Sequence, residues 1–317
     1  MQRYIIRRLL WLVVTCWMMV TMLFFLMFVA PGDVAMVMLG EESATIDPVQ
    51  YKILREKLGL NRPLYEQYGG WMWNAVQGDL GRSYWTGAPV VQEMTIRFPY
   101  TAGLMVVGMF FTVIITIPTG VISALKQDTL IDYSLRSFQI GFMAMPSFWI
   151  GILLLGWLAV TLRWYPRIEY ATLFTDPITA IQQYALPGTL MGVRIAASNS
   201  RMLRSSMLEV LGSDYVRTAR AKGLREWKVV YIHTMRNAFL PVATIFGSEV
   251  SMLLGGTVIM ESLFNIPGLG TLLISAVNAR DIPLVMGITT YIGLIILAVN
   301  LLVDISYGLI DPRVRYS

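Results

Sequence analysis

Residues 9–32 contain no charged side chain, and they follow a short start carrying Arg3, Arg7 and Arg8. A helix rising about 1.5 Å per residue needs about 20 apolar residues to cross a hydrocarbon layer about 30 Å thick, so this stretch is long enough to span one. A signal peptide is the competing reading. Its apolar stretch is about 7–15 residues, and Phe28-Val29-Ala30-Pro31 offers no small-x-small cleavage site, so the stretch is read as a retained helix. Five further apolar stretches follow at 98–125, 137–162, 183–200, 238–260 and 282–303, with Arg194 interrupting the fourth and Glu249 inside the fifth. The expected fold class is an all-α polytopic membrane protein with six transmembrane helices. Charge is sparse enough to agree: 14% of residues are charged, against about 25% in soluble domains.

Basic residues collect on the cytoplasmic side of short loops. With the N-terminus inside, fifteen Lys and Arg lie on the inner segments and nine on the outer ones, six of these in the single long loop 31–97. The short outer segments hold only Arg163, Arg167 and Arg280. This predicts N-in/C-in topology and four regions: an N-terminal span 1–32, an extracytoplasmic loop 33–97, a core 98–310 with five spans, and a cytoplasmic tail 311–317. Within the outer loop, Asp47-Pro48 opens an expected helix 49–58 that Gly59 ends. A second, 64–76, carries Tyr65, Tyr68, Trp71 and Trp73, residue types that favour the membrane interface.

Several chemistries find no support. His233 is the single histidine and Cys16 the single cysteine, so neither a zinc site nor a histidine-based triad is expected. No G-x-x-x-x-G-K-[ST] phosphate loop is present, so the chain is not expected to hydrolyse ATP, to act as an enzyme or to bind a cofactor. Gly268-Leu-Gly270 follows no strand and reads as a tight turn outside the membrane.

The most informative segment is Ser213-Asp-Tyr-Val-Arg-Thr-Ala-Arg-Ala-Lys-Gly223. Ser213 suits a helix cap, Asp214 suits the positive end of the helix dipole, Arg220 and Lys222 suit its negative end, and Gly223 suits the stop. A helix this short is marginal alone and calls for something to pack against. Tyr215, Ala219 and Ala221 are the expected contact face, with Arg217, Thr218, Arg220 and Lys222 supplying polar and charged groups. A second helix, 226–235, is expected to run into the fifth span. On charge alone, an ordinary basic loop resting on anionic membrane lipid is the favoured reading; a nucleic-acid patch is not, for lack of a binding fold.

Asp214-Tyr-Val-Arg-Thr-Ala-Arg-Ala-Lys-Gly-Leu224 resembles the coupling segment, or EAA loop, of ABC importers. Leu58-Gly-Leu-Asn-Arg-Pro-Leu-Tyr65, Gln77-Gly-Asp-Leu-Gly-Arg-Ser83, Ala144-Met-Pro-Ser-Phe-Trp149, Pro267-Gly-Leu-Gly270 and Asp311-Pro-Arg-Val-Arg-Tyr316 extend the likeness over the chain. Together they resemble the B-type permease subunit of peptide/nickel-class ABC importers. The resemblance implies a type I importer permease fold in a bacterial or archaeal cell membrane. It also implies a second, C-type permease subunit, two cytoplasmic ATP-binding subunits and an extracytoplasmic substrate-binding protein. The implied cargo is a short peptide, with nickel or another small solute as the alternative. Two positions depart from the general pattern: Arg217 replaces an acidic residue, and Arg236 stands where a proline falls. Arg194 and Glu249, costly inside a membrane, are read either as a pore-facing site or gate, or as structural ion-pair groups. An ion-coupled secondary transporter built on Glu249 is the rival class. Glu261 is read as a solvated group near the outer interface.

Overall fold

A computed structural model describes residues 2–29, 33–39, 47–166 and 171–310. The motif at 311–316 lies outside the described residues. The elements, in order, are α1 (Gln2–Val29), α2 (Val34–Leu39), α3 (Pro48–Lys57), α4 (Leu64–Val76), α5 (Val90–Leu125), α6 (Leu130–Ala144) and α7 (Ser147–Leu162). There follow α8 (Pro177–Leu211), α9 (Asp214–Ala221), α10 (Glu226–Lys228), a π-helical turn (Val229–Thr234), α11 (Met235–Ala238), α12 (Leu240–Leu263), α13 (Leu269–Asn278) and α14 (Ile282–Ile310). Among the described residues the single strand-like pairing is an Arg82–Pro89 bridge.

Among the described residues, four helices are long and apolar enough to cross a membrane: Leu9–Val29, Val90–Leu125, Leu240–Leu263 and Ile282–Val303. The stretch 137–162, expected as one straight run, is instead broken. Helices α6 and α7 meet at 99°, and the pair counts as a fifth span if taken together. The cause is Pro146, whose ring disfavours the helical region for the preceding residue; Met145 is accordingly extended at φ −108°, ψ 136°. Helix α8 is 35 residues long but carries too many polar groups to pass as apolar, and it extends well past the expected 183–200 at both ends.

Helices in lipid gain little from burying apolar surface against each other, so close packing through small residues matters more. The centre of the fold shows this at the α5–α8 crossing. Gly188 and Gly192 of α8, one turn apart, lie against Gly108: a Cβ on Gly192 would sit 2.7 Å from the Gly108 carbonyl oxygen and 2.9 Å from the Thr112 nitrogen. Thr112 Oγ1 donates to the Gly108 carbonyl oxygen at 2.9 Å. Near the other end of α8 the joint is ionic. Asp132, fully buried at the start of α6, receives Arg204 Nε at 3.0 Å and Nη2 at 2.7 Å, together with the Ser123 hydroxyl. This forked pair ties α5, α6 and α8 together.

The two outer-loop helices form where expected. Asp47 Oδ1 accepts from Val49 N at 2.9 Å, and Gly59, at φ 71°, ends α3. Helix α4 divides its aromatics between two faces. Tyr65 and Trp73 are exposed, whereas Tyr68 turns inward, its ring 5.3 Å from Phe24 and its hydroxyl 2.6 Å from Thr21 Oγ1 of α1.

Candidate functional site

Helix α9 is an eight-residue amphipathic segment standing at the end of α8. Its C-terminus is a Schellman stop: Gly223 N donates to Arg220 O at 2.9 Å, Leu224 N donates to Ala219 O at 3.3 Å, and Gly223 lies at φ 75°. Its N-terminus differs from expectation. Ser213 occupies the cap position but makes no forward cap bond, because its hydroxyl donates back to the Val210 carbonyl at 2.5 Å. The serine therefore secures the turn between α8 and α9.

The inward face of α9 consists of Val216 and Ala219, one turn apart, packed on Val229, Val210 and Leu211. Ala219 was expected on the contact face; it is 7% exposed and belongs to the chain's own core. The opposite side carries Asp214, Arg217, Thr218, Arg220, Ala221, Lys222 and Gly223, all exposed. Tyr215 is exposed across its ring yet tethered at its hydroxyl, which donates to the His233 carbonyl at 3.2 Å and accepts from Asn237 Nδ2 at 2.8 Å. Arg220 pairs with Glu226 at 2.7 Å, holding the Glu226 carboxyl below its usual range and raising the arginine.

Leu224, Trp227, Tyr231 and Ile232 are also exposed. Sequence reasoning passed over these apolar groups, although four of them within nine residues of a polar loop was a readable signal. The helix expected over 226–235 is present but not uniform: Val229–Thr234 is π-helical, and Thr234 Oγ1 donates to the Val229 carbonyl five residues back at 3.0 Å. Such turns insert one extra residue into a helix and recur at functional places.

The two intramembrane candidates are not brought together. Glu249 is buried and accepts from Asn199 Nδ2 at 2.6 Å. Arg194 precedes Asn199 by five residues, about 140° around the helix at 3.6 residues per turn; it is exposed and makes no ion pair among the described residues.

Glu261, expected in solvent, is fully buried. One oxygen accepts from Thr101 Oγ1 at 2.6 Å; the other accepts from Gly270 N at 2.7 Å and Thr271 N at 3.2 Å. Thr101 Oγ1 itself accepts from Leu269 N at 2.8 Å. Pro267-Gly-Leu-Gly270 thus leads directly into α13, and the carboxyl at the end of α12 caps that helix. Gly268 makes room for it, since a Cβ there would lie 2.3 Å from the Glu261 carboxyl carbon. The Gln77–Ser83 motif is anchored similarly: Ser83 Oγ donates to buried Asp281, and Asp281 Oδ1 accepts from Tyr84 N at 3.2 Å.

Residues 116–316 match the family described as the binding-protein-dependent transport system inner membrane component, and residues 1–105 match the N-terminal region described for such membrane components. The chain is 38% identical over 337 residues to the di/tripeptide transport system permease of Pseudomonas aeruginosa, covering 100% of both chains. It is 39% identical over 319 residues to the oligopeptide transport system permease of Bacillus subtilis, again covering 100% of both. To the dipeptide transport system permease of Escherichia coli it is 37% identical over 341 residues, with the same coverage. An all-helical multi-pass chain, aligned end to end with these proteins and matched across both family regions, belongs to the binding-protein-dependent transport system inner membrane component family.

Proposed function

We propose that this chain is the permease subunit of an ATP-driven importer of short peptides in a bacterial inner membrane. In this reading α1, α5, the bent pair α6–α7, α8, α12 and α14 make six spans with both termini in the cytoplasm. A second permease subunit completes the pathway, two cytoplasmic ATPases bind the 213–236 segment, and an extracytoplasmic binding protein delivers the peptide. The subunit itself does no covalent chemistry and holds no cofactor; ATP is hydrolysed by its partners.

The observation that carries the coupling role is the two-sidedness of α9. Val216 and Ala219 lock one face into the chain, while Arg217, Thr218, Ala221 and Lys222 are exposed on the other, the side chains of Arg217 and Thr218 bonding only to Asp214 of the same helix among the described residues. A short helix with a fixed inner face and a free outer face suits insertion into a groove of another protein. The inner face then passes displacement to α8 through Val210 and, through Val229, to the π turn at the root of α12.

The test is reconstitution of the four-part complex with its binding protein. Peptide uptake should require ATP and both ATPases; uptake that persists without them would sink the importer reading. Gly223→Pro removes the N–H bonded to Arg220 and cannot adopt φ 75°, while Arg217→Glu reverses charge on the exposed face. Both should insert normally, keep ATP hydrolysis and lose most uptake. Unchanged uptake in both would show that α9 is not the docking helix.

A further inference from the structure

At the C-terminal end of α1 a cleft of about 900 Å³ opens between this helix, the turn leading into α4, and the corner joining α13 to α14. Its apolar walls are Leu23, Leu26 and Met27 on one side and Leu273, Val277 and Val285 on the other. Leu23–Met27 and Val285 lie within helices long and apolar enough to cross a membrane, so the walls continue into hydrocarbon. Leu26 and Val277 are largely exposed, which leaves the cleft open at its side.

Four charged side chains line it: Asp33, Arg55, Arg62 and Arg280. Arg55 Nη1 lies 3.1 Å from Asp33 Oδ2 and also donates to the Tyr51 hydroxyl at 3.0 Å, so these two charges satisfy each other. Arg62 and Arg280 form no ion pair among the described residues. The lining therefore carries two uncompensated guanidinium groups above an apolar slot.

Arg280 is also held in an unusual backbone position. It follows the last turn of α13 at φ 53°, with Arg280 N donating to Val277 O at 3.1 Å and Asp281 N to Ala276 O at 2.8 Å. That is the helix-stop position where glycine is the default. The backbone alone would favour glycine there, as it would at Asp128, Arg163 and Asn265, which share this conformation.

We infer that the cleft binds an anionic phospholipid. Its phosphodiester sits between Arg62 and Arg280, and one acyl chain lies between Leu23, Leu26 and Met27 and the facing Leu273, Val277 and Val285. Guanidinium groups favour phosphate oxygens, to which they can donate two parallel hydrogen bonds. The proposal rests on the chain residing in a bilayer and is independent of the docking role of α9.

The test uses the assembled complex in nanodiscs of mixed phosphatidylglycerol and phosphatidylcholine, with retained lipid counted by native mass spectrometry. The wild type should retain phosphatidylglycerol in preference to phosphatidylcholine. The double variant Arg62→Gln/Arg280→Gln should retain about thirty-fold less, the factor for two cations near an anionic headgroup, and the double lysine variant should recover most of it. Leu26→Trp, at an exposed position, should displace the lipid while leaving both arginines in place. Equal retention of the two lipids by the wild type would overturn the proposal, as would unchanged retention in the double glutamine variant. Loss of phosphatidylglycerol to millimolar inorganic phosphate would reduce the cleft to a simple anion site. If the double variant fails to assemble, unchanged retention in Leu26→Trp decides against the lipid.

Discussion

Replacing Glu261 with alanine removes one acceptor group that serves three donors: Thr101 Oγ1, Gly270 N and Thr271 N. The site is fully buried, and each buried donor left unpaired costs about 1–3 kcal/mol. Some of that returns because Thr101 can rotate and water can enter the space left behind, so a net loss of about 3–5 kcal/mol is expected, the range for breaking a buried polar network. Glu261→Gln keeps the volume and one acceptor oxygen but turns an amide N–H toward existing donors; about 1–3 kcal/mol is expected. Equilibrium unfolding of the purified protein in mixed micelles measures both. A sharper check uses Gly268, whose added Cβ would lie 2.3 Å from the Glu261 carboxyl carbon. Gly268→Ala should be strongly destabilising in the wild type and nearly neutral in the Glu261→Ala background, where the clashing carboxyl is gone. Equal costs of Gly268→Ala in the two backgrounds would refute the account of this motif as room made for a capping carboxyl.

Gly192→Leu should disrupt the α5–α8 crossing, since even a Cβ would lie 2.7 Å from the Gly108 carbonyl oxygen. Overpacking costs about 1–3 kcal/mol and more where backbone must move, and the same micelle unfolding assay should show at least that loss; wild-type stability would mean that the helices do not meet there. The Arg220–Glu226 pair should give a modest pH dependence to the order of the α9 stop. Arg220 holds the Glu226 carboxyl below its ordinary value, so the contribution is complete above the usual glutamate range and is lost as pH falls through the lowered one. An exposed pair is worth up to about 1 kcal/mol. Amide exchange at Gly223 and Leu224, corrected for intrinsic rates, should therefore be at most about five-fold faster in Glu226→Gln at neutral pH, with the variants converging in acid. A difference that grows on acidification would contradict the sign.

The sequence carried the long apolar spans, the two outer helices and the ends of α9 because each depends on local chemistry: absence of charge, a proline after an aspartate, a glycine after a basic turn. Helix α4 was expected over 64–76 and occupies Leu64–Val76. What was hidden depends on partners far along the chain. Glu261 looked solvated because it stands near a span end, yet Thr101, 160 residues away, and the start of α13 close over it. Ala219 looked available because small residues suit interfaces in general, but its spacing from Val216 already marked an inward stripe. The break at Pro146 is legible in the proline itself, which disfavours a helical residue before it, whereas the apolar run 137–162 by its length alone suggests one straight span. Arg194 and Glu249 share only their cost in lipid; the turn of α8 separates them, and a list of charges cannot show that.

In the proposed coupling, movement at 213–236 has to become a change along the spans, and α12 is the span that follows this segment in the chain. Its root is joined to α9 through the π turn, whose backbone register is one residue out of step with an α-helix. Its far end is clamped by Glu261 to both Thr101 of α5 and the start of α13. A displacement entering at the root would therefore meet a fixed far end. Two-thirds of the way along α12 the chain places Gly255 and Gly256, residues that weaken a helix by about 1 kcal/mol each relative to alanine, and a Cβ on Gly255 would meet no heavy atom within 4 Å. Close packing does not demand glycine at 255, whereas it does at Gly247, where a Cβ would lie 2.1 Å from Val303 Cγ2. Within this chain, packing therefore accounts for glycine at 247 and not for glycine at 255.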